Sequence, residues 1–199
     1  MIRLKESGMI FEFDDNNCYC IEKDPLVEKS NCASTSNNKG CECVSFINGY
    51  HCFIEAKSSV PRGRIGNVED VRLDGKPLPH NWEIYDNYQH FLRDISKKFI
   101  DSFFILRSLV EGVHGEERYR DVMLKDKNIK YNAIRFILII NFPINISKML
   151  DKQGLASLQE ALKNEMRPFL NVWRIPDTSI KVVLPGDASK ILNIPVIQE

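Results

Sequence analysis

The sequence predicts an α/β domain: a mixed β-sheet with flanking helices and an N-terminal β-hairpin extension. Three observations carry this reading. Two alternating runs meet at Asn48-Gly49 inside "GCECVSFINGYHCFIEAKSS", residues 40 to 59; apolar residues recur every three or four positions from Ile84 to Val110; and residues 133 to 142 are almost continuously apolar. Asn-Gly between alternating runs is the strongest short hairpin signal, because both loop residues of a type I′ turn need positive φ. The second pattern is a long amphipathic helix, and the third a strand covered on both faces.

Taken in order, Met9 to Phe13 and Cys18 to Glu22 read as a first hairpin joined by Asp14-Asp15-Asn16-Asn17, a turn sequence. Asp24 to Lys39 is polar and reads mostly as loop, with one helical turn available at Pro25 to Lys29. After the Asn48-Gly49 hairpin comes a second long connection, Ser58 to Pro79, rich in Pro, Gly and Arg. The periodic helix starts at Trp82 and ends near Gly112; the apolar strand stops at Pro143. A helical region from Ser147 toward Arg167 is interrupted around Gly154 and stopped by Pro168, and Ser179 to Leu184 is the last strand. The chain thus reads as a single domain of 199 residues: a hairpin and polar loop (1–39), a core (40–142), and a C-terminal helix and strand (143–199).

Composition excludes more than it assigns. With 43% hydrophobic residues the chain can bury a real core, and 27 Lys plus Arg balance 27 Asp plus Glu. No global positive field exists, so a nucleic-acid partner must be held by a local patch. The N-terminal stretch MIRLKESGMIFEF has no apolar h-region, and the longest apolar run is broken by Arg135 and Asn141. A cytoplasmic protein with no membrane partner is the expectation. All six cysteines fall between Cys18 and Cys52 in C-x-C, C, C-x-C and C arrangements. C-x-C on a strand sets both thiols on one face about 7 Å apart without the tight knuckle of a zinc site, so buried reduced thiols are expected and a zinc- or thiol-dependent interaction module is the competing reading.

If Asn48 and Gly49 form the loop, Ile47 pairs with Tyr50, Phe46 with His51, Val44 with Phe53, and Glu42 falls opposite Glu55. Directly opposed residues have Cβ atoms about 4.5–5.5 Å apart, and the strand period puts Lys57 on the face of Glu55. Cys41, Cys43, Cys52 and Ile54 then take the other face. Two opposed carboxylates destabilise a strand pair unless a proton or a cation sits between them. Val44, Phe46 and Phe53 make the face otherwise apolar, with the charges gathered at one end.

These residues resemble the PD-(D/E)XK nuclease superfamily, the restriction-endonuclease-like fold shared with archaeal Holliday-junction resolvases. Glu55-Ala56-Lys57 matches the family's tripeptide, preceded by the apolar Cys52-Phe53-Ile54, and Glu42 stands where the family usually carries aspartate. The element order of residues 40 to 142 fits, while the sequence-specific part is only Glu42 to Ser59. The resemblance implies divalent-metal-dependent hydrolysis of phosphodiester bonds, in DNA first, with RNA an open alternative. Glu42, Glu55 and the Ala56 carbonyl would hold Mg²⁺ or Mn²⁺, and Lys57 would orient the attacking water or stabilise the growing charge.

Arg62 and Arg64 in "SSVPRGRIG" are candidates to clamp backbone phosphates, and an ordinary charged loop explains them equally well. The family's leading helix, often the source of a third carboxylate, is missing or reduced to Pro25 to Lys29, leaving Glu28 or Glu12 to fill that role. His51 is a candidate phosphate or proton contact, although a surface residue at the hairpin tip is the preferred reading. Gln89, with Arg93 and Lys97, lines the polar side of the long helix, where the family places a supporting residue. A homodimer or a larger defence or repair complex is the assembly expected, and a catalytically silent nuclease-like subunit that binds nucleic acid or a partner is the main alternative to catalysis.

Overall fold

The structure, a computed structural model, describes residues 1–14, 17–27, 40–58, 60–61, 84–85, 88–122, 124–141 and 152–198. Its strands are β1 (Ile2–Glu6), β2 (Met9–Phe13), β3 (Cys18–Tyr19), β4 (Cys43–Ile47), β5 (Tyr50–Lys57), β6 (Val60–Pro61), β7 (Ile84–Tyr85), β8 (Ile134–Ile140), β9 (Ile180–Val183) and β10 (Val196–Gln198). The helices are α1 (Tyr88–Val110), α2 (Glu116–Asp121), α3 (Lys152–Trp173) and α4 (Pro185–Leu192). A mixed five-stranded sheet in the order β3-β4-β5-β8-β9 forms the centre, and β1-β2-β10 make a three-stranded antiparallel sheet.

The Asn48-Gly49 register is realised residue by residue: Ile47 pairs with Tyr50, Phe46 with His51 and Val44 with Phe53. Asn48 has φ 51° and Gly49 φ 81°, as a type I′ loop demands. From β5 the chain returns through α1 to β8, which runs parallel to β5 over His51↔Ile134 to Lys57↔Ile140. β9 adds parallel to β8.

Each face of the central sheet has its own core. On one side Val44, Phe53, Phe136, Leu138 and Ile180 pack against Ile95, Phe99 and Phe103 of α1 and Leu162, Met166 and Leu170 of α3. On the other, Cys43, Cys52, Ile54, Ala56, Ile137 and Ile139 meet Met9, Phe11 and Phe13 of the small sheet and Ala188 and Leu192 of α4. This explains why β8 is apolar apart from Arg135: both of its faces are covered.

Several sequence expectations change. The first hairpin is β1–β2, closed at Ser7-Gly8, whereas β3 leaves to pair with β4. Ser7 (φ 51°) and Gly8 (φ 71°) supply the positive dihedrals, and the alternating IRLKE gives β1 a face for the core. Beyond Tyr19 the expected strand gives way to a 3₁₀ turn at Ile21–Lys23, and residues 25–27 are helical. α1 starts at Tyr88, since Ile84–Tyr85 pair with β6 instead. It ends as a Schellman motif, with Gly112 at φ 72° and Val113 N donating to Ser108 O at 3.0 Å.

Pro168 does not stop α3, which runs to Trp173 with Gly154 inside it. A mid-helix proline costs roughly 3 kcal/mol. Packing on both sides of it offsets that: Phe169 and Trp173 meet Phe103 edge-on at 5.1 and 5.0 Å, and Met166 and Leu170 are buried. Nor is β9 last. Pro185 opens α4 at its first turn, Asn193 closes it in the left-handed region, and β10 then pairs with β2. The first and last strands of the described residues therefore share one sheet.

Candidate metal centre

Chemistry gathers where β4 ends. The β4–β5 ladder stops at Cys43↔Ile54, and Glu42 lies on a bend just beyond it. The bend is pinned by Cys41, whose N–H donates to Ser102 Oγ on α1 at 2.7 Å. Cys41 thereby joins the α1-side core, contrary to the face that strict alternation assigned to it; Cys43, Cys52 and Ile54 keep the expected face.

Glu42 and Glu55 meet across a lysine the sequence reading did not select. Lys98 Nζ, from α1, lies 2.8 Å from Glu55 Oε1 and 4.0 Å from Glu42 Oε1, and Lys57 Nζ is 2.9 Å from the same Glu55 oxygen. Side-chain exposure is 0% for Glu55, 4% for Glu42, 12% for Lys98 and 17% for Lys57. Glu55 Oε2 is buried with no hydrogen-bond partner. A carboxylate oxygen left in that state is costly unless something else satisfies it.

Two further carboxylates complete the group. Glu6, at the tip of the β1–β2 hairpin, and Glu22, on the 3₁₀ turn, each bring an oxygen within 4.8 Å of one another and of Glu42. Glu22 is held there by its neighbours. Asp24 accepts hydrogen bonds from the Tyr19 hydroxyl, the Arg118 guanidinium and Leu26 N–H, which fixes the turn. Gly40 then lets the segment leading to Glu42 pass against it: a Cβ there would stand 2.8 Å from Glu22 Cα and 3.0 Å from Glu22 N. Gly40→Ala is therefore expected to push the Glu22 turn away and weaken divalent-cation binding by about 10-fold or more, read by calorimetric Mn²⁺ titration; unchanged affinity counts against Glu22.

Among the described residues four carboxyl groups gather with two ammoniums, which in the fully ionised form leaves those six groups a net charge of two minus. Burial first, then the Glu55 carboxylate, raises the Glu42 pKa to about 9, with Glu22 and Glu6 adding to the shift and Lys98 opposing it. Burial works against the charge on Lys98, but Glu55 and Glu42 outweigh it and hold its pKa above the usual lysine range. All the donors are oxygens, a set that suits a hard cation such as Mg²⁺, Mn²⁺ or Ca²⁺. Oxygens on one such ion lie within about 4–5 Å of each other, twice the metal–oxygen distance. The oxygens of Glu6, Glu22 and Glu42 fit a divalent ion.

The raised Glu42 has a consequence for stability. Between its ordinary value of 4.5 and about 9 the folded protein binds more protons than the unfolded chain, so stability falls as pH rises. His51 acts oppositely at low pH, because burial lowers its pKa below 6.5, and the buried thiols, held above their ordinary 9.0, add a decline of their own as that value is approached, which leaves about 6.5 to 8 as the clean window. With EDTA present, the unfolding free energy of the wild type should decline across that window, by on the order of 1 kcal/mol per pH unit at most, and Glu42→Gln should flatten the decline. A flat wild-type profile would count against a protonated Glu42.

The other sequence candidates lie elsewhere. Glu12 is held by Arg3 at 2.6 Å on the face of β2 opposite Met9, Phe11 and Phe13, so it does not join the cluster. His51 is buried, not a surface residue: it packs at a tilt against Phe46 and its Nε2 bonds the Asp126 carbonyl at 2.8 Å, four register positions from Glu55. Gln89 lines a cleft between α1 and α3 with Glu160 and Asn164, far along α1 from Lys98. Lys97 pairs with Asp101 on the exposed side. Glu28, Arg62 and Arg64 lie outside the described residues. The Ala56 carbonyl accepts a hydrogen bond from Ser7 Oγ at 3.0 Å.

The described cysteines Cys18, Cys20, Cys41, Cys43 and Cys52 are all free thiols. Burial pushes the Cys41 thiol above its ordinary range and Cys52 up to about 12. Glu6, Glu22 and Glu42 are the one group of metal-ligating side chains that converges among the described residues, and it contains no sulfur. No helix among those residues is long and apolar enough to cross a membrane. No family model, curated protein or solved structure matches the chain.

Proposed function

We propose that the protein is a divalent-metal-dependent nuclease that hydrolyses phosphodiester bonds, with DNA as its first substrate. The observation that carries this reading is the convergence of Glu42, Glu55 and Lys57 at the open end of the β4–β5 hairpin, with Glu55 Oε2 buried and unpartnered. It is supported by the order hairpin, helix, parallel strand (β4, β5, α1, β8), which the PD-(D/E)XK core shares.

Glu42 and Glu55 would hold the cation, Mg²⁺ or Mn²⁺, with Glu22 as the third carboxylate. Such an ion polarises the scissile phosphate and lowers the pKa of a bound water. Lys98 fixes Glu55 Oε1 through a charge-assisted bond, so that the carboxylate is oriented before substrate arrives. Lys57 is the less buried of the two lysines and is the one able to turn from Glu55 to a phosphate oxygen, where its charge stabilises the transition state.

A second reading keeps the fold and drops the catalysis. Both ammoniums converge on one Glu55 oxygen, and a raised Glu42 is protonated at neutral pH, so the cluster is able to satisfy itself without metal. Cleavage of plasmid, linear and branched DNA with Mg²⁺, Mn²⁺ or EDTA separates the two, using Lys57→Ala as the matched control. Metal-dependent cutting that the variant lacks establishes the nuclease. DNA binding without cutting establishes the silent subunit.

A further inference from the structure

Three thiols meet on the face of the central sheet that looks away from α1. β3 pairs with β4 through Cys18↔Ser45 and Tyr19↔Val44, and one step further along that register sets Cys20 opposite Cys43. Strand alternation gives Cys18, Cys20 and Cys43 the same side, where they share a core with Phe11, Phe13 and Ile54. The Cys18 thiol lies between the other two and is hydrogen-bonded with both. Cys41 and Cys52 are engaged by backbone instead: Cys41 Sγ donates to Cys43 O at 3.4 Å, and Cys52 Sγ to Tyr50 O at 3.8 Å. Access sorts the three that meet. Cys18 is 3% exposed and Cys43 fully buried, whereas Cys20, at the entry to the 3₁₀ turn, is half-buried and open to small solutes.

We propose that Cys18 and Cys20 form a site of reversible oxidation, at which Cys20 Sγ attacks a hydroperoxide and Cys18 Sγ closes a disulfide on it. The inference rests on neither a bound cation nor catalysis. In the first step the Cys20 sulfur cleaves the O–O bond, releasing an alcohol, or water from hydrogen peroxide, and becomes a sulfenic acid. The Cys18 sulfur then displaces the sulfenic hydroxyl as water. Two thiols have lost two hydrogens and two electrons, and the peroxide has taken them up. Positions two apart on a strand have Cα atoms separated by about 6.6 Å, near the upper end of the roughly 4.4–6.8 Å that a disulfide spans. A bridge at that limit is among the more reducible, which suits a change that reverses. Its hydrogen bond to Cys18, then burial, holds the Cys20 thiol above its ordinary range, so the attack is slow and the site answers sustained oxidant without turning peroxide over. Cys43 steadies Cys18 from the other side. Cys20 leads into the turn that carries Glu22, so the bridge forms at the joint between β3 and that turn.

Intact-mass measurement and peptide mapping of the full chain, reduced and then treated with hydrogen peroxide in native buffer, test this. A Cys32→Ser background removes the one cysteine outside the described residues. The mass should fall by two hydrogens, the peptides should join Cys18 to Cys20, and dithiothreitol should restore the starting mass, all with the native circular dichroism retained. Cys18→Ala should abolish the bridge and leave Cys20 to gain oxygen. Cys52→Ala, in the same core but outside the thiol contact, should leave the bridge intact. Should Cys18→Ala fail to fold, Cys20→Ser at the half-buried position carries the same comparison, since it too must abolish the bridge. Oxygen addition without a bridge in the background chain, no oxidation at all, a bridge that lacks Cys18, or one that appears only as the native circular dichroism is lost overturns the proposal.

Discussion

Lys98→Met lowers the unfolding free energy by about 3–5 kcal/mol at neutral pH, the largest stability effect expected at this centre. The lysine is 12% exposed and its Nζ touches both buried carboxyl groups, at 2.8 Å to Glu55 and 4.0 Å to Glu42. Methionine keeps the packing volume and removes the charge, leaving Lys57 as the ammonium that the described residues set against four carboxyl groups. Its raised pKa gives the sign: the stabilisation from Lys98 is present at neutral pH and is lost only above the ordinary lysine value of 10.5. Urea unfolding in EDTA measures the loss, and millimolar Mg²⁺ should restore part of it by mass action. Lys97→Met, one residue away on the exposed side, should change stability by less than about 0.5 kcal/mol. A Lys98→Met loss as small as that would mean that solvent already screens the cluster.

Lys57→Ala is expected to reduce metal-dependent cleavage by about 10²–10³-fold while tightening the hold on the cation. The two effects run in opposite directions for one reason. Lys57 sits 2.9 Å from Glu55 Oε1, so removing it takes away a positive charge that competes with the metal for that carboxylate. It also takes away the charge available to the transition state. Single-turnover cleavage rates and Mn²⁺ titration on the same preparation separate the two. Cleavage that persists at the wild-type rate would remove Lys57 from the mechanism, and weakened metal binding would recast it as a structural residue. Lys57→Arg tests the geometry: a guanidinium keeps the charge but spreads it over a planar fork, so partial activity is expected.

The parts of this molecule legible in its sequence are the local ones. Asn48-Gly49 set the β4–β5 register without tertiary information, because a two-residue loop leaves the strands no alternative alignment. The competing hairpin at Ser7-Gly8 was harder to see, since serine at positive φ is uncommon and the neighbouring Asp-Asp-Asn-Asn is a stronger turn sequence. Lys98 left a trace. It falls among Phe91, Ile95 and Ser102 on the buried stripe of α1, where the helical period calls for an apolar side chain, and a lysine there needs a buried acid. Glu6 and Glu22 left none, because their approach to Glu42 depends on how a separate sheet and a 3₁₀ turn pack against the hairpin. Pro168 shows the converse, a strong local stop overridden by the aromatic packing around Phe103.

The pairing of β2 with β10 orders events during synthesis. Glu6 leaves a ribosome long before Val196–Gln198 do, yet its hairpin gains its second neighbouring strand only when they have emerged. Asn141, which grips the hairpin tip, is itself steadied by Gln198. A nascent chain carries Glu42, Glu55, Lys57 and Lys98 well before β10 can brace Glu6 among them, so the centre is completed after β10 has emerged. An unfinished polypeptide would hold the lysine-bridged pair of glutamates without its full set of carboxylates.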